Sequence, residues 1–211
     1  MRTSNFVMTA GMAHRFAKVW VVMAICGFAP APAGADELAT KSAAAGDAAT
    51  SRSHAGRNEW NRGREPKDWW NEIENRHGHV GPWNVLGYRM GKAILRECKA
   101  EWGDHSVVVT SHIPMRMPYS CILDGLAVGT GNSEGRLDLK SAEVASVEFM
   151  HISARPVDRS AKGVVLKPNP AFIRKIEGGT VKDLDRFSKD CEDAPEGELF
   201  SITSLPPGNA P

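Results

Sequence analysis

Pro82-Trp-Asn-Val-Leu-Gly-Tyr-Arg-Met-Gly-Lys-Ala-Ile-Leu-Arg-Glu-Cys-Lys-Ala-Glu-Trp102 decides the architecture. Leu86, Met90, Ala93, Ile94, Cys98 and Trp102 recur at steps of three and four, the period of an amphipathic helix. Arg89, Lys92, Arg96 and Lys99 fall mostly off that stripe, and Pro82 suits the first helical position. The pattern predicts a helix from Pro82 to about Trp102. Gly87 and Gly91 lie one turn apart and leave one side of it nearly bare backbone, open to close approach by another element.

Outward from this helix, Pro66 to Asn75 predicts a short helix before it. After it, Ser106-Val-Val-Val-Thr-Ser111 is β-rich and predicts a core strand. Ser120 is placed to cap a third helix, Cys121 to about Val128, with Gly129–Gly135 as a loop. Arg136–Lys140, Val147–Ile152 and Gly163–Lys167 alternate as strands do. A helix over Val181–Cys191 and a last strand over Leu199–Thr203 complete the pattern. Helices precede a cluster of strands, so the expected class is α+β: one domain over 58–205, helices on a mixed or antiparallel sheet. Residues 206–211 read as a flexible tail.

The first 35 residues read as a secretory signal peptide. Arg2, Arg15 and Lys18 precede an apolar run from Val19 to Phe28, and Ala33-Gly34-Ala35 offers a cleavage site. The apolar run is about half the ~20 residues needed to span a bilayer. Residues 36–57 are Ala, Gly, Ser, Thr and Asp with few large apolar groups, the composition of a disordered linker. The expected location is therefore periplasmic or secreted, with no membrane attachment after cleavage. A formal charge of +1, with both signs spread along the chain, gives no footprint for nucleic acid.

His77-Gly78-His79 is the sharpest chemical feature. Two imidazoles around a glycine can converge on one ion when the backbone turns. Cys121, at an expected helix start, should ionise easily, because the backbone N–H groups and the helix dipole favour a thiolate. Asp124, one helical turn on, could be a ligand, a partner to a histidine, or a base. Exposed histidines with no ligand role and a buried structural cysteine are the bland alternatives. Trp83 could wall a pocket or pack in the core. Arg89 could grip a carboxylate bidentately or pair on the surface. His151 is the remaining histidine worth locating against the site. Cys98 and Cys191 are candidates for a disulfide, which would leave Cys121 as the odd thiol.

His77-Gly-His-Val-Gly-Pro-Trp-Asn-Val-Leu-Gly-Tyr-Arg-Met-Gly91 resembles the opening motif of the FmdE-like family, which is named for a component of formylmethanofuran dehydrogenase. Pro118-Tyr-Ser-Cys-Ile-Leu-Asp-Gly125 and Thr130-Gly-Asn-Ser-Glu-Gly-Arg136 resemble its second motif, in the same order and spacing. The resemblance implies an α+β domain like the catalytic domain of glyceraldehyde-phosphate dehydrogenase. It also implies a homodimer and one transition metal, zinc first and iron or nickel next, near His77, His79 and Cys121. Gly81 and Asn132 stand where many relatives carry cysteines, and the C-terminal zinc ribbon of some members is missing. A signal peptide does not suit a component of a cytoplasmic enzyme, so the expected function is that of an exported metal-binding accessory or carrier. The alternatives are a metalloenzyme with an open coordination position, or a metal-free Cys/His enzyme.

Overall fold

The computed structural model describes residues 61–208, which belong to one compact unit, His54–Pro211. The expected signal peptide and linker, and residues 209–211, lie outside the described residues. Trp69–His77 forms α1, opened by the Asp68 side chain, which accepts from the Asn71 backbone N–H. Pro82–Cys98 forms α2, with Pro82 at its first position. Ile122–Thr130 forms α3, Pro170–Glu177 α4, Leu184–Asp193 α5 and Glu196–Leu199 α6. The strands are Val107–Ile113 (β1), Leu139–Glu143 (β2), His151–Pro156 (β3), Gly163–Pro168 (β4) and Phe200–Leu205 (β5). They make one open mixed sheet in the order β2-β1-β3-β4-β5, in which only β1 and β2 run parallel. The parallel pair needs a crossover, and α3 supplies it. The class is α+β. Among the described residues no helix is long and apolar enough to cross a membrane.

The core lies between one face of the sheet and the helices. Val107, Val109 and Ile113 of β1, Ile152 and Ala154 of β3, and Val164 and Leu166 of β4 turn inward. They meet Leu86, Met90, Ala93 and Ile94 of α2, so most of the stripe read from the sequence is the buried face. The bare side of α2 receives α3, which carries its own pair, Gly125 and Gly129. A Cβ on Gly125 would sit 1.9 Å from the Asn84 carbonyl oxygen, and one on Gly87 2.2 Å from that of Ile122. The two helices therefore touch backbone to backbone.

Several boundaries differ from the expectation. α2 stops at Cys98 because Lys99 turns into the left-handed region, at φ 54°. Trp102 is thus off the helix, and its indole N–H donates to the Val128 carbonyl near the end of α3. Ser120 makes no cap: Tyr119–Cys121 is a 3-10 turn, and Cys121 stands at the N-cap of α3 without a side-chain cap bond. Arg136–Asp138 is turn rather than strand. The buried Asp138 carboxylate accepts from the Ser133 N–H and pairs with His105, which curls this segment ahead of β2. Val147–Phe149 is likewise a 3-10 turn, and β3 begins only at His151. α4 lies outside the sequence expectation, although Asn169-Pro170 carries its signal: the Asn169 side chain accepts from the Ala171 N–H.

The cysteines also correct an expectation. Cys98, Cys121 and Cys191 are all free thiols, so the Cys98–Cys191 disulfide is not formed. The helix register explains it. Arg89 is the α2 residue that meets the Cys191 carbonyl, and Cys98 lies nine residues farther along α2, about 13 Å at 1.5 Å per residue. Burial pushes the Cys98 thiol up to about 11 and the Cys191 thiol up to about 12.

Candidate functional site

Gly78 makes the histidine pair. It ends α1 at φ 93°, in the left-handed region, with its N–H donating to the Glu74 carbonyl at 2.7 Å. The chain reverses there, and the His79 ring comes beside His77, with ring centroids 4.8 Å apart and planes tilted by 51°. His79 is exposed and His77 half-buried.

Asp124, in the first turn of α3, reaches both residues at the end of α1. His77 Nδ1–H donates to Asp124 Oδ2 at 2.8 Å, and Arg76 Nε donates to Oδ1 at 2.9 Å. A carboxylate can only accept, so the Nδ1 proton is fixed and the lone pair sits on His77 Nε2. This is how a carboxylate orients a metal-binding imidazole. Of the three roles open to Asp124, the geometry selects the partner to histidine.

Asn84 is a second tie, and nothing in the sequence singles it out. Fully buried, it accepts from the Gly81 N–H at 2.9 Å and donates to the Cys121 carbonyl at 2.9 Å. The loop bearing His79 is thereby fastened to the backbone of Cys121. Arg76 likewise escapes a reading of the sequence. Its role depends on an aspartate 48 positions later in the chain.

The Cys121 thiol does not ionise easily. Burial is the main cause of its upward shift, the nearby Asp124 charge adds to it, and a backbone hydrogen bond offsets only part. The helix-start argument fails because the desolvated position and the carboxylate outweigh the backbone dipoles. Among the described residues, no group of three His, Cys, Asp or Glu side chains is already arranged as a metal cage. The donor types nonetheless suit a borderline metal: two imidazoles side by side, one with its tautomer fixed, and a half-buried thiol on the helix that carries the fixing carboxylate.

The other candidates divide. Trp83 is buried and meets the Tyr119 ring edge-on at 5.1 Å, which is packing. Among the described residues, Arg89 grips no carboxylate. Its guanidinium donates to the carbonyls of Cys191, Glu192 and Ala194, at 2.6 to 3.2 Å, and so closes the end of α5. Arg89→Met should leave three carbonyls short of a donor and cost about 2–4 kcal/mol by denaturant titration. Arg89→Lys should recover little, because a single ammonium cannot fork across three carbonyls. An unchanged midpoint would show that α5 does not depend on this contact. His151 stacks on His112, ring centroids 4.1 Å apart, on the sheet face turned away from the helices. Beside His79 opens a cavity of about 450 Å3, lined by Trp70, Glu74, Val80, Val181, Leu184 and Asp185.

A family model described as "FmdE, Molybdenum formylmethanofuran dehydrogenase operon" matches residues 76–207. The chain belongs to this family. The match begins at Arg76, runs through the His-Gly-His turn and the Ser-Cys-Ile-Leu-Asp helix start, and closes after β5. The FmdE domain thus takes in the corner where the end of α1 meets α2 and α3, with His77, His79, Cys121 and Asp124 inside it. No curated protein matches the chain.

Proposed function

We propose that this FmdE-family protein is an exported metal-binding protein, in which His77, His79 and Cys121 hold one transition metal ion. The observation that carries the proposal is His77 held by Asp124 through Nδ1, with its Nε2 lone pair left over and the His79 ring at its side. Zinc suits one thiolate and two imidazoles, with iron or nickel next. A bound cation would also offset the burial and the Asp124 charge that hold the Cys121 proton on. Asp124 orients His77, Arg76 orients Asp124, and Asn84 keeps the His79 loop against Cys121. The leader-like residues 1–35 support export to the periplasm or beyond. A homodimer is the assembly that the family resemblance suggests.

The role is that of a carrier or accessory protein. A metalloenzyme is the second reading, favoured by the cavity at His79: three protein ligands leave one tetrahedral position for water or substrate. In that case the metal would supply Lewis acidity, while Trp70 and the carboxylates of Glu74 and Asp185 would line the substrate space. A metal-free cysteine enzyme is the least supported, since the half-buried Cys121 thiol is held protonated rather than activated.

Elemental analysis of the protein purified from its own host tests the proposal, with about one transition metal per chain expected. Asp124→Asn keeps the shape but loses the charge that orients His77. Affinity, measured by competition with a chromophoric chelator, should fall about tenfold to a hundredfold. Metal-free native protein would count against the proposal, and so would an Asp124→Asn variant with undiminished affinity.

A further inference from the structure

The sheet face turned away from the helices carries a cavity of its own. Val108, Thr110 and His112 of β1, with Ser153 and Arg155 of β3, floor a cavity of about 910 Å3. Val157 and Arg159 of the β3–β4 turn, with Pro206 and Pro207 after β5, form its walls. We propose that this cavity binds a small organic anion, a carboxylate or phosphate attached to an apolar body.

Charge points to it first. Among the described residues, no acidic one lines the cavity. The strand register extends this to the whole face, placing Lys140 beside Thr110, His151 beside His112, and Lys167 on the outward side of β4. None of the strand residues on this face is acidic, although the chain as a whole carries 26 basic and 25 acidic residues. The face is thus one-signed where the chain is mixed. Neither Arg155 nor Arg159 has a carboxylate partner among the described residues, and Arg155 donates instead to the Pro206 carbonyl at 3.4 Å. Two guanidinium forks without carboxylates at the rim of one cavity suit the planar or tetrahedral oxygens of a carboxylate or phosphate.

The floor adds donors. His112 Nε2–H donates to Ser153 Oγ at 3.3 Å, and Ser153 Oγ in turn donates to the Thr110 carbonyl at 3.5 Å. His151 Nδ1–H donates to the Phe149 carbonyl at 2.9 Å. Each neutral ring keeps one lone pair, and protonation would turn that nitrogen into a further donor toward an anion. Burial and the neighbouring His151 lower the His112 pKa, so an anion that favours the charged ring should bind more tightly as pH falls. The other charged groups facing His112 are Arg155 on β3, Lys140 on β2 and Arg159 on the turn, all basic. Glu148, in the turn before β3, borders a separate hollow that it shares with His151 and Lys167. Val108, Val157, Pro156, Pro206 and Pro207 supply contact for the apolar body. A second copy is the less suitable occupant. A twofold contact would press this basic face against itself, and like charges across an interface oppose association.

The test is calorimetric titration of the full chain with phenyl phosphate, benzoate and inorganic phosphate, at about pH 7.5 and about pH 5.5. Saturable binding of phenyl phosphate or benzoate is expected, tighter at the lower pH for benzoate, with inorganic phosphate weaker for lack of the apolar body. Preference between the two organic probes distinguishes phosphate from carboxylate. The double variant Arg155→Gln/Arg159→Gln should lose at least about tenfold in affinity, while metal content and melting temperature stay as in the parent. His112→Ala should reduce the pH dependence of benzoate binding, since benzoate keeps its charge at both pH values. The proposal is overturned by heat from neither organic probe, by binding indifferent to both arginines, or by sedimentation showing a dimer that Lys140→Glu dissociates.

Discussion

Gly125→Ala is expected to lower the melting temperature by about 10 °C or more, a loss of at least about 3 kcal/mol. The cause is local and steric. The new methyl group would lie 1.9 Å from the Asn84 carbonyl oxygen and 2.8 Å from the Tyr88 backbone nitrogen. Both are backbone atoms of α2, so no side chain can swing aside, and the two helices must separate. Separation would open the layer formed by Leu86, Met90, Ile122 and Leu126. It would also pull Asn84 away from Cys121, so the variant should lose metal affinity along with stability. Gly91→Ala should cost less, since its nearest neighbour, the Gly129 Cα, stands at 3.1 Å. Gly135→Ala, with nothing within 4 Å, is the neutral control. A Gly125→Ala melting curve that overlays the parent would mean that α2 and α3 are not held in backbone contact. Thermal unfolding of the four proteins side by side decides it.

That contact also shows how much of the molecule is legible in the sequence. Gly87 and Gly91 announce a bare helix side, and the apolar stripe from Leu86 to Ile94 announces its buried side, because both follow from a 3.6-residue period. The partner is not legible. Gly125 and Gly129 are equally spaced on α3, but nothing local says that the two pairs face each other. The same holds for Arg89. Its fork shape is visible, but the carbonyls that it serves lie about a hundred positions away in the chain. Trp102 fits the stripe of α2 and yet leaves it, since one residue at positive φ ends the helix. α4 is a different case: its capping signal stands in Asn169-Pro170 and is legible.

At the site, the structure brings His77 beside His79 and bonds it to Asp124, and it reverses the reading of Cys121. The His-Gly-His turn works as a short motif should, because glycine alone takes the φ of 93° that brings the second ring back. Asp124 has three roles open to it from the sequence, and the bond to His77 Nδ1 selects one. The helix position of Cys121 predicts an acidic thiol. Burial reverses that, and burial is a property of the assembled core rather than of the neighbouring residues. The reversal bears on mechanism. A thiol held protonated is a poor nucleophile but a sound metal ligand, since a bound cation supplies the charge that removes its proton.

Cobalt(II) titration of the metal-free protein, followed by visible absorption, tests the proposed metal site at its proposed ligands. Cobalt takes the place of zinc and, unlike zinc, reports what binds it: a thiolate gives an intense charge-transfer band, and a tetrahedral field gives strong d–d bands. The expected result is saturation at about one cobalt per chain with the thiolate band present. Cys121→Ser should abolish that band and weaken binding by at least about a hundredfold, as loss of the single anionic ligand requires. His77→Ala should weaken binding while keeping the band, and Cys98→Ser should behave as the parent. A titration with no thiolate band, or a band that survives Cys121→Ser, would contradict the assignment of His77, His79 and Cys121 to one metal ion.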